Sequence, residues 1–374
     1  MQIKLAYIIS QIDKALAFEW IAEELPSESL DLCFILLHER ETALEQFLKQ
    51  KNIRVFRINY RGKKDFFGAF LKIFRILSKE KIQVVHCHLF DASLIGLLAA
   101  KMAGVQKRIS TRHHSTLHHV YFPRAVYYDR FINFLATDLV AISENVRKIL
   151  VDREKVKAQK IHLVHHGFRL EAFAEVSQAR IQKLRDKYQI TENHTVIGVI
   201  ARQTEWKGIQ YIVPAFIRFQ KKYPQAVLLL ANAKGEYKAK IEALLQEIAP
   251  ANYRQILFEE DIFALYQLFS LHVHTPIDDH SEAFGQTYVE ALAAGIPSVF
   301  TLSGVAAEFI QDGENALTVD FKNSEAIWEA MNKLLENPVL QNHLKKQGQE
   351  HVKKYFDLPV MITKLRKLYQ GKTI

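Results

Sequence analysis

Along nearly the whole chain, short apolar runs alternate with longer segments whose apolar positions recur every three or four residues. Runs at 3–9, 31–37, 53–58, 84–88, 107–111, 139–141 and 161–164 predict strands, with helices between them at, for example, 42–51, 66–80 and 92–103. The alternation restarts at 195–200 and continues through 226–230, 255–258, 271–274, 298–301 and 316–319. Strands separated by helices pair in parallel, so this order predicts two doubly wound α/β sheets, each with its own core. A polar, helical stretch from about 168 to 193 separates them, and two helical segments, 339–355 and 358–369, close the pattern. Asp357-Leu358-Pro359 between those segments is a predicted kink.

Length agrees with this division, because 374 residues suit two domains of about 150–200 residues better than one core. Cys33 and Cys87 both lie in predicted strands, which argues against a disulfide framework and for a reducing cytoplasm. The opening residues read as a short strand rather than a signal peptide. No run approaches the ~20 apolar residues that a bilayer span needs. The net charge of +9 is uneven: residues 61–160 hold 19 Lys and Arg against 8 Asp and Glu, and the remainder is close to balanced. A basic half suits an anionic partner such as a membrane surface, a phosphorylated acceptor or a nucleic acid, or it serves solubility alone.

Candidate chemistry is densest at Ser281-Glu282-Ala283-Phe284-Gly285-Gln286-Thr287-Tyr288-Val289-Glu290. Glu282 is expected in a loop at the mouth of a sheet and Glu290 on the helix that leaves it, which stops at Gly295 with Pro297 just beyond. The backbone N–H groups of Phe284, Gly285 and Gln286 would head that helix, a natural anion site, so a phosphate is expected between the two carboxylates. Upstream, Arg202 and Lys207 follow the first strand of the second half, where open α/β sheets bind ligands. The arginine offers a fixed fork for phosphate oxygens and the lysine a mobile point charge. Asp278-Asp279-His280 could pass for a metal cluster, but adjacent side chains point apart and the run reads as solvated loop charge. In the first half, His113 and His114 close a strand, and imidazole handles protons near neutral pH. His86 and His88 share one side of a strand, a spacing compatible with metal binding and with packing at a cleft edge.

Taken in order, these segments resemble the retaining nucleotide-sugar glycosyltransferases of the GT-B fold, the family 4 (group 1) type. The resemblance rests on the Glu-x7-Glu string from Glu282 to Glu290 and on Arg202-x4-Lys207-Gly208. Thr111-x-His113, His86-x-His88 and the strand leading to Ser143 add to it. It implies an α/β fold of two doubly wound, Rossmann-like domains facing a cleft. The acceptor-side domain would be 1–170, the nucleotide-sugar domain 171–355, and a C-terminal helix at 356–374 would pack back on the first domain. By the same resemblance Glu282 lies beside the donor sugar and His113, with His114 as the alternative register, reaches sugar or acceptor; these are the catalytic candidates. Arg202 and Lys207 would hold the diphosphate, Phe284, Gly285 and Gln286 would give backbone contacts, and Glu290 would accept the ribose hydroxyls. A UDP- or GDP-sugar donor, a glycan or lipid-linked acceptor, no cofactor and no required metal are implied, with a role in polysaccharide or glycolipid synthesis.

The chain departs from the family pattern in three places. Ala201 replaces the glycine before Arg202, and His165-His166-Gly167-Phe168 stands where Asn-Gly-Val-Asp is usual. The first loop, residues 10–15, lacks the usual Gly-Gly pair, which weakens analogy on the acceptor side. Competing readings are a nucleotide-sugar epimerase of the same fold and a non-catalytic binding subunit, although the second needs damaged donor residues. A nucleic-acid binder has only the basic charge in its favour and no recognition motif. The aromatic-rich stretch 121–131, within the basic half, could rest a cytoplasmic enzyme on the inner face of an anionic membrane. The alternative for that stretch is a helix that packs its Tyr and Phe inside the domain.

Overall fold

The computed structural model describes residues 2–373, and the chain forms two compact units. One comprises the residues up to Phe168 together with those from Leu358 onward, and the other is Arg169–Asp357. In the first unit the strands are β1 (Ile3–Ser10), β2 (Leu30–Leu37), β3 (Arg54–Ile58), β4 (Val84–His88), β5 (Lys107–Arg112), β6 (Asp138–Ala141) and β7 (Ile161–Leu163). They make one parallel sheet in the order β3-β2-β1-β4-β5-β6-β7. Leu5 to Ile9 of β1 and Val84 to His88 of β4 are buried throughout, as expected of central strands covered by helices on both faces.

The second unit contains β8 (Thr195–Ile200), β9 (Ala226–Ala231), β10 (Tyr253–Ile256), β11 (Leu271–His274), β12 (Ser298–Phe300) and β13 (Leu317–Thr318). Their order is β10-β9-β8-β11-β12-β13, again parallel. Helix Ile209–Lys222 presents Ile212, Phe216 and Phe219 to this core on one stripe. Each sheet reverses its direction of winding once, between β1 and β4 and between β8 and β11. Outside the carboxyl ends of such a strand pair a crevice opens where ligands bind.

The final helix belongs to the first unit. Helix Pro338–Phe356 ends at Asp357, which is extended, and helix Leu358–Tyr369 begins at once. The Leu358 amide donates to the Phe168 carbonyl (2.9 Å), and the Gly167 amide to Met361 Sδ (3.1 Å). A Cβ on Gly167 would lie 2.8 Å from Met361 Cβ, so glycine in this turn is what lets the helix approach. The first loop lacks glycine, yet it still turns through a left-handed residue, Gln11 at φ 55°.

Two apolar runs behave differently from their pattern. The strand expected at 255–258 is two residues earlier, leaving Leu257 and Phe258 exposed, because register at this sheet edge is set by pairing with β9. Helix Ala125–Leu135 buries Ile132 and Leu135, but Tyr127 (73% exposed), Tyr128 (50%) and Phe131 (41%) face outward, which overturns the packing alternative for those three. Among the described residues no helix is long and apolar enough to cross a membrane.

Candidate active site

In the second unit the β8/β11 reversal brings two loops together. Residues 201–208 leave β8 and residues 275–285 leave its neighbour β11, whose His272 pairs with Gly198. The Trp206 carbonyl accepts from the Ile277 amide (3.1 Å), tying one loop to the other. Gly208 sits at φ +72° so close to the Thr275 carbonyl that any Cβ would overlap it. A third loop, after β12, supports them. Ser303 Oγ accepts from the Glu282 amide (3.1 Å), and the Val305 amide donates to the Phe284 carbonyl (2.9 Å). Ala201, the departure from glycine, is buried.

Glu282 is held in this corner with only 7% of its surface exposed. It pairs with Lys207 and accepts from His274 Nε2 (3.0 Å). Burial by itself would raise the Glu282 carboxyl, but the Lys207 charge and the His274 hydrogen bond overcome it and hold the group well below the usual carboxylate range. Glu282 is therefore an anion. Burial lowers the His274 pKa, opposed in part by Glu282. Its Nδ1 has no hydrogen-bond partner among the described residues, consistent with a neutral ring that donates through Nε2. The Tyr288 ring stands edge-on to His274, centroids 4.8 Å apart, and anchors its hydroxyl to the Thr301 carbonyl (3.1 Å). Arg202 is exposed, its guanidinium 5.9 Å from the Trp206 ring centroid.

Helix Gln286–Ala293 starts at Gly285, whose φ of +86° and contact with the Tyr288 ring both require glycine. Gly285 is the N-cap and Gln286 the first helical position, where amides have no acceptor within the helix. One turn further along, Glu290 accepts from Tyr266 Oη (2.8 Å). Desolvation raises its carboxyl to about 7, with the tyrosine bond opposing. The two acids of the motif are thus opposites: Glu282 is a fixed anion, and Glu290 takes up or gives up a proton near neutral pH. Asp278 uses Oδ1 to accept from the His280 amide (3.0 Å) and from the Ser281 amide and hydroxyl (both 2.6 Å), shaping the turn before Glu282. With Asp279 and His280 it forms one of two groups, among the described residues, whose spacing would admit a cation; His114, His118 and Asp129 form the other.

The first unit carries the histidines. His113 follows β5, meets His88 Nδ1 through Nε2 (3.1 Å) and stacks on His166 with centroids 5.6 Å apart. Burial, then the neighbouring imidazoles, pull His88 and His113 well below the ordinary value, so both rings are neutral at pH 7. His114 is 3.5 Å from Asp129, in a buried network with His118, Arg112 and Glu154. His86 commits both nitrogens, Nδ1 to Tyr369 Oη and Nε2 to Thr111 Oγ1, each 2.7 Å. With no nitrogen left over, packing is the role of His86, whereas His88 keeps a buried Nε2 that has no hydrogen-bond partner among the described residues.

Two family models divide the chain. Residues 21–172 match Glycosyltransferase Family 4, and residues 180–351 match Glycosyl transferases group 1. The backbone superposes with a TM-score of 0.84 on the crystal structure of Anabaena HepE in complex with UDP and glucose, covering 98% of this chain and 99% of that one at 17% identity, a likeness of fold. The chain is a GT-B glycosyltransferase of the family 4, group 1 type.

Its curated relatives include the capsular polysaccharide biosynthesis glycosyltransferase CapM of Staphylococcus aureus, 26% identical over 80% of both chains. Another is the alpha-monoglucosyldiacylglycerol synthase of Acholeplasma laidlawii, 26% identical over 75% of this chain and 73% of that protein. Within this glycosyltransferase, Arg202, Lys207, Glu282, Phe284, Gly285, Gln286 and Glu290 all stand at one end of the second sheet, whereas His113 belongs to the first unit. Two partners escaped the sequence reading, His274 and Tyr266. For His274 a signal existed, because His272 and His274 alternate on β11 as His86 and His88 do on β4. For Tyr266, 24 positions before Glu290, spacing carries no signal.

Proposed function

We propose that this glycosyltransferase uses a nucleotide diphosphate sugar, with UDP or GDP as the leaving group, and retains the anomeric configuration of the sugar it transfers. The observation that carries the reading is the ionised Glu282, joined to Lys207 and His274 and three residues ahead of a glycine-headed helix at the β8/β11 reversal. A diphosphate on Arg202, Lys207 and the amides of Gly285 and Gln286 would meet fixed positive charge where negative charge grows in the transition state, the largest catalytic effect open to such a site. The bond from sugar C1 to the β-phosphate oxygen breaks, the acceptor oxygen bonds to C1 from the same face, and the acceptor proton passes to the departing phosphate. Glu282, already ionised and occupied by Lys207 and His274, acts by orienting those groups and accepting a sugar hydroxyl rather than as a covalent nucleophile. Glu290 takes the ribose hydroxyls, and His113, a neutral imidazole, serves sugar or acceptor. No metal is required, because the protein supplies its own cations.

The acceptor in this reading is a glycan or a lipid-linked glycan used for cell-surface polysaccharide or glycolipid, met by a cytoplasmic enzyme at the inner face of the membrane. The names of the two curated relatives support that context. Thermal stabilisation by UDP and GDP tests the donor, since a ligand at 100 times its Kd adds about 2.7 kcal/mol. No stabilisation by either defeats the donor assignment, and a product of inverted configuration, read by proton NMR, defeats retention.

A further inference from the structure

The first unit contains a pocket of about 930 Å³, at the upper end of the range of about 300–1,000 Å³ found for small-molecule sites. Three stretches build it. Tyr60 follows β3, Phe66 heads helix Phe66–Glu80, and Phe90 and Leu94 stand one turn apart on helix Phe90–Met102. Phe122 and Phe131 close it from the segment that leads into and along helix Ala125–Leu135. None of these residues figures in the donor chemistry. The wall is mostly carbon. Its polar exceptions are the Tyr60 hydroxyl and Asp91, hydrogen-bonded to each other, the Tyr128 hydroxyl, and two cations, Lys63 and Arg124, both exposed.

That chemistry selects against a bare sugar. A site built for a glycan needs several convergent polar groups to satisfy hydroxyls that would otherwise be buried without partners. Here the carboxylate already has a partner, and apart from the two cations and the Tyr128 hydroxyl the remainder is aromatic and aliphatic carbon. An apolar chain is satisfied by such a wall, and an anionic head by the two cations. Outside the pocket the apolar surface continues: Phe67 (69% exposed), Tyr127 and Phe134 (68%) are open. Aromatic side chains beside Lys and Arg are the composition of a membrane-interface surface.

We infer that this pocket holds the hydrocarbon chain of an anionic lipid acceptor, with its phosphate held by Lys63 and Arg124. The inference rests on the glycosyltransferase reading above and narrows its acceptor to a lipid phosphate class.

Farnesyl phosphate is the probe, with farnesol and inorganic phosphate as its two halves, and binding to the full chain is measured by calorimetry. Leu94→Trp fills the pocket, Lys63→Glu reverses a cation at its edge, and UDP stabilisation of each variant reports folding and the donor site separately. Farnesyl phosphate is expected to bind wild type, to lose about tenfold or more in Leu94→Trp and about fivefold in Lys63→Glu, while farnesol is indifferent to Lys63→Glu. Inorganic phosphate should not compete. Equal binding by wild type and Leu94→Trp, or no binding by wild type, overturns the inference, and with UDP stabilisation intact it leaves the transferase reading standing. Loss of UDP stabilisation with farnesyl phosphate binding intact does the reverse. Sedimentation with anionic vesicles that is undiminished in Leu94→Trp, with no farnesyl phosphate binding, would make this face a bilayer contact and overturn the pocket assignment.

Discussion

Replacing Glu290 by Gln should make the protein more stable and its donor affinity worse. Glu290 is enclosed by helix Gln286–Ala293 and Tyr266, and burial raises its carboxyl from the ordinary 4.5 to about 7. At about 1.4 kcal/mol per pH unit the shift corresponds to roughly 3 kcal/mol. Part of the residue keeps contact with solvent, so about 2 kcal/mol is the better figure. The sign follows from proton counting. Between about pH 4.5 and 7 the folded chain keeps a proton that the unfolded chain has released, so stability falls as pH rises through that window. Glutamine keeps the shape and can still accept from Tyr266 Oη, but it does not titrate. The stability of Glu290→Gln relative to wild type should therefore improve by about 2 kcal/mol from pH 4.5 to pH 8. Urea unfolding at the two pH values measures it. Binding should move the other way, because the ribose hydroxyls lose an ionised acceptor worth about 1.5–3 kcal/mol, and affinity for the nucleoside diphosphate should fall about tenfold to a hundredfold at pH 8. Wild-type affinity should itself rise as pH passes 7. A variant that is no more stable at pH 8, or that binds the nucleoside diphosphate as wild type does, would refute the reasoning.

Alanine at Arg202, which is exposed, should cut turnover while leaving the melting temperature within a degree or so. Lys207→Ala should cut both, since it strips a buried carboxylate of its cation; breaking such a pair costs about 3–5 kcal/mol when fully buried, and denaturation of the two variants side by side shows the contrast. Gly285→Ala should lower stability by about 1–3 kcal/mol and weaken donor binding, because a left-handed alanine also meets the Tyr288 ring; unchanged melting and binding would argue against a rigid turn there. Transfer activity should survive a strong chelator, and loss that a divalent metal restores would bring Asp278 and Asp279 back as ligands.

Much of the architecture was readable before any coordinates. Strands such as Val84–His88, Thr195–Ile200 and Leu271–His274, and helices such as Phe66–Glu80, stand where the apolar pattern put them, because period and run length are local properties of the chain. The helix after Glu282 was legible from its bounding glycines for the same reason. Edges were harder: at β10 the apolar pair Leu257 and Phe258 looked like strand, but register there belongs to the neighbouring strand. Outward aromatic residues on helix Ala125–Leu135 were equally hidden, since a pattern reports which residues are apolar and not which of them find a partner. Site chemistry divides along the same line. Sequence alone singled out both acids and both cations as candidates, because each motif is a contiguous string whose spacing has meaning within one turn or loop. It was silent on the state of each acid. Only the parallel order β8-β11-β12 brings His274 and Lys207 to Glu282 and keeps it ionised at neutral pH, and only the fold buries Glu290 against Tyr266 and raises its carboxyl to about 7. Desolvation and charge are sums over neighbours far apart in the chain, and no local stretch of sequence contains them.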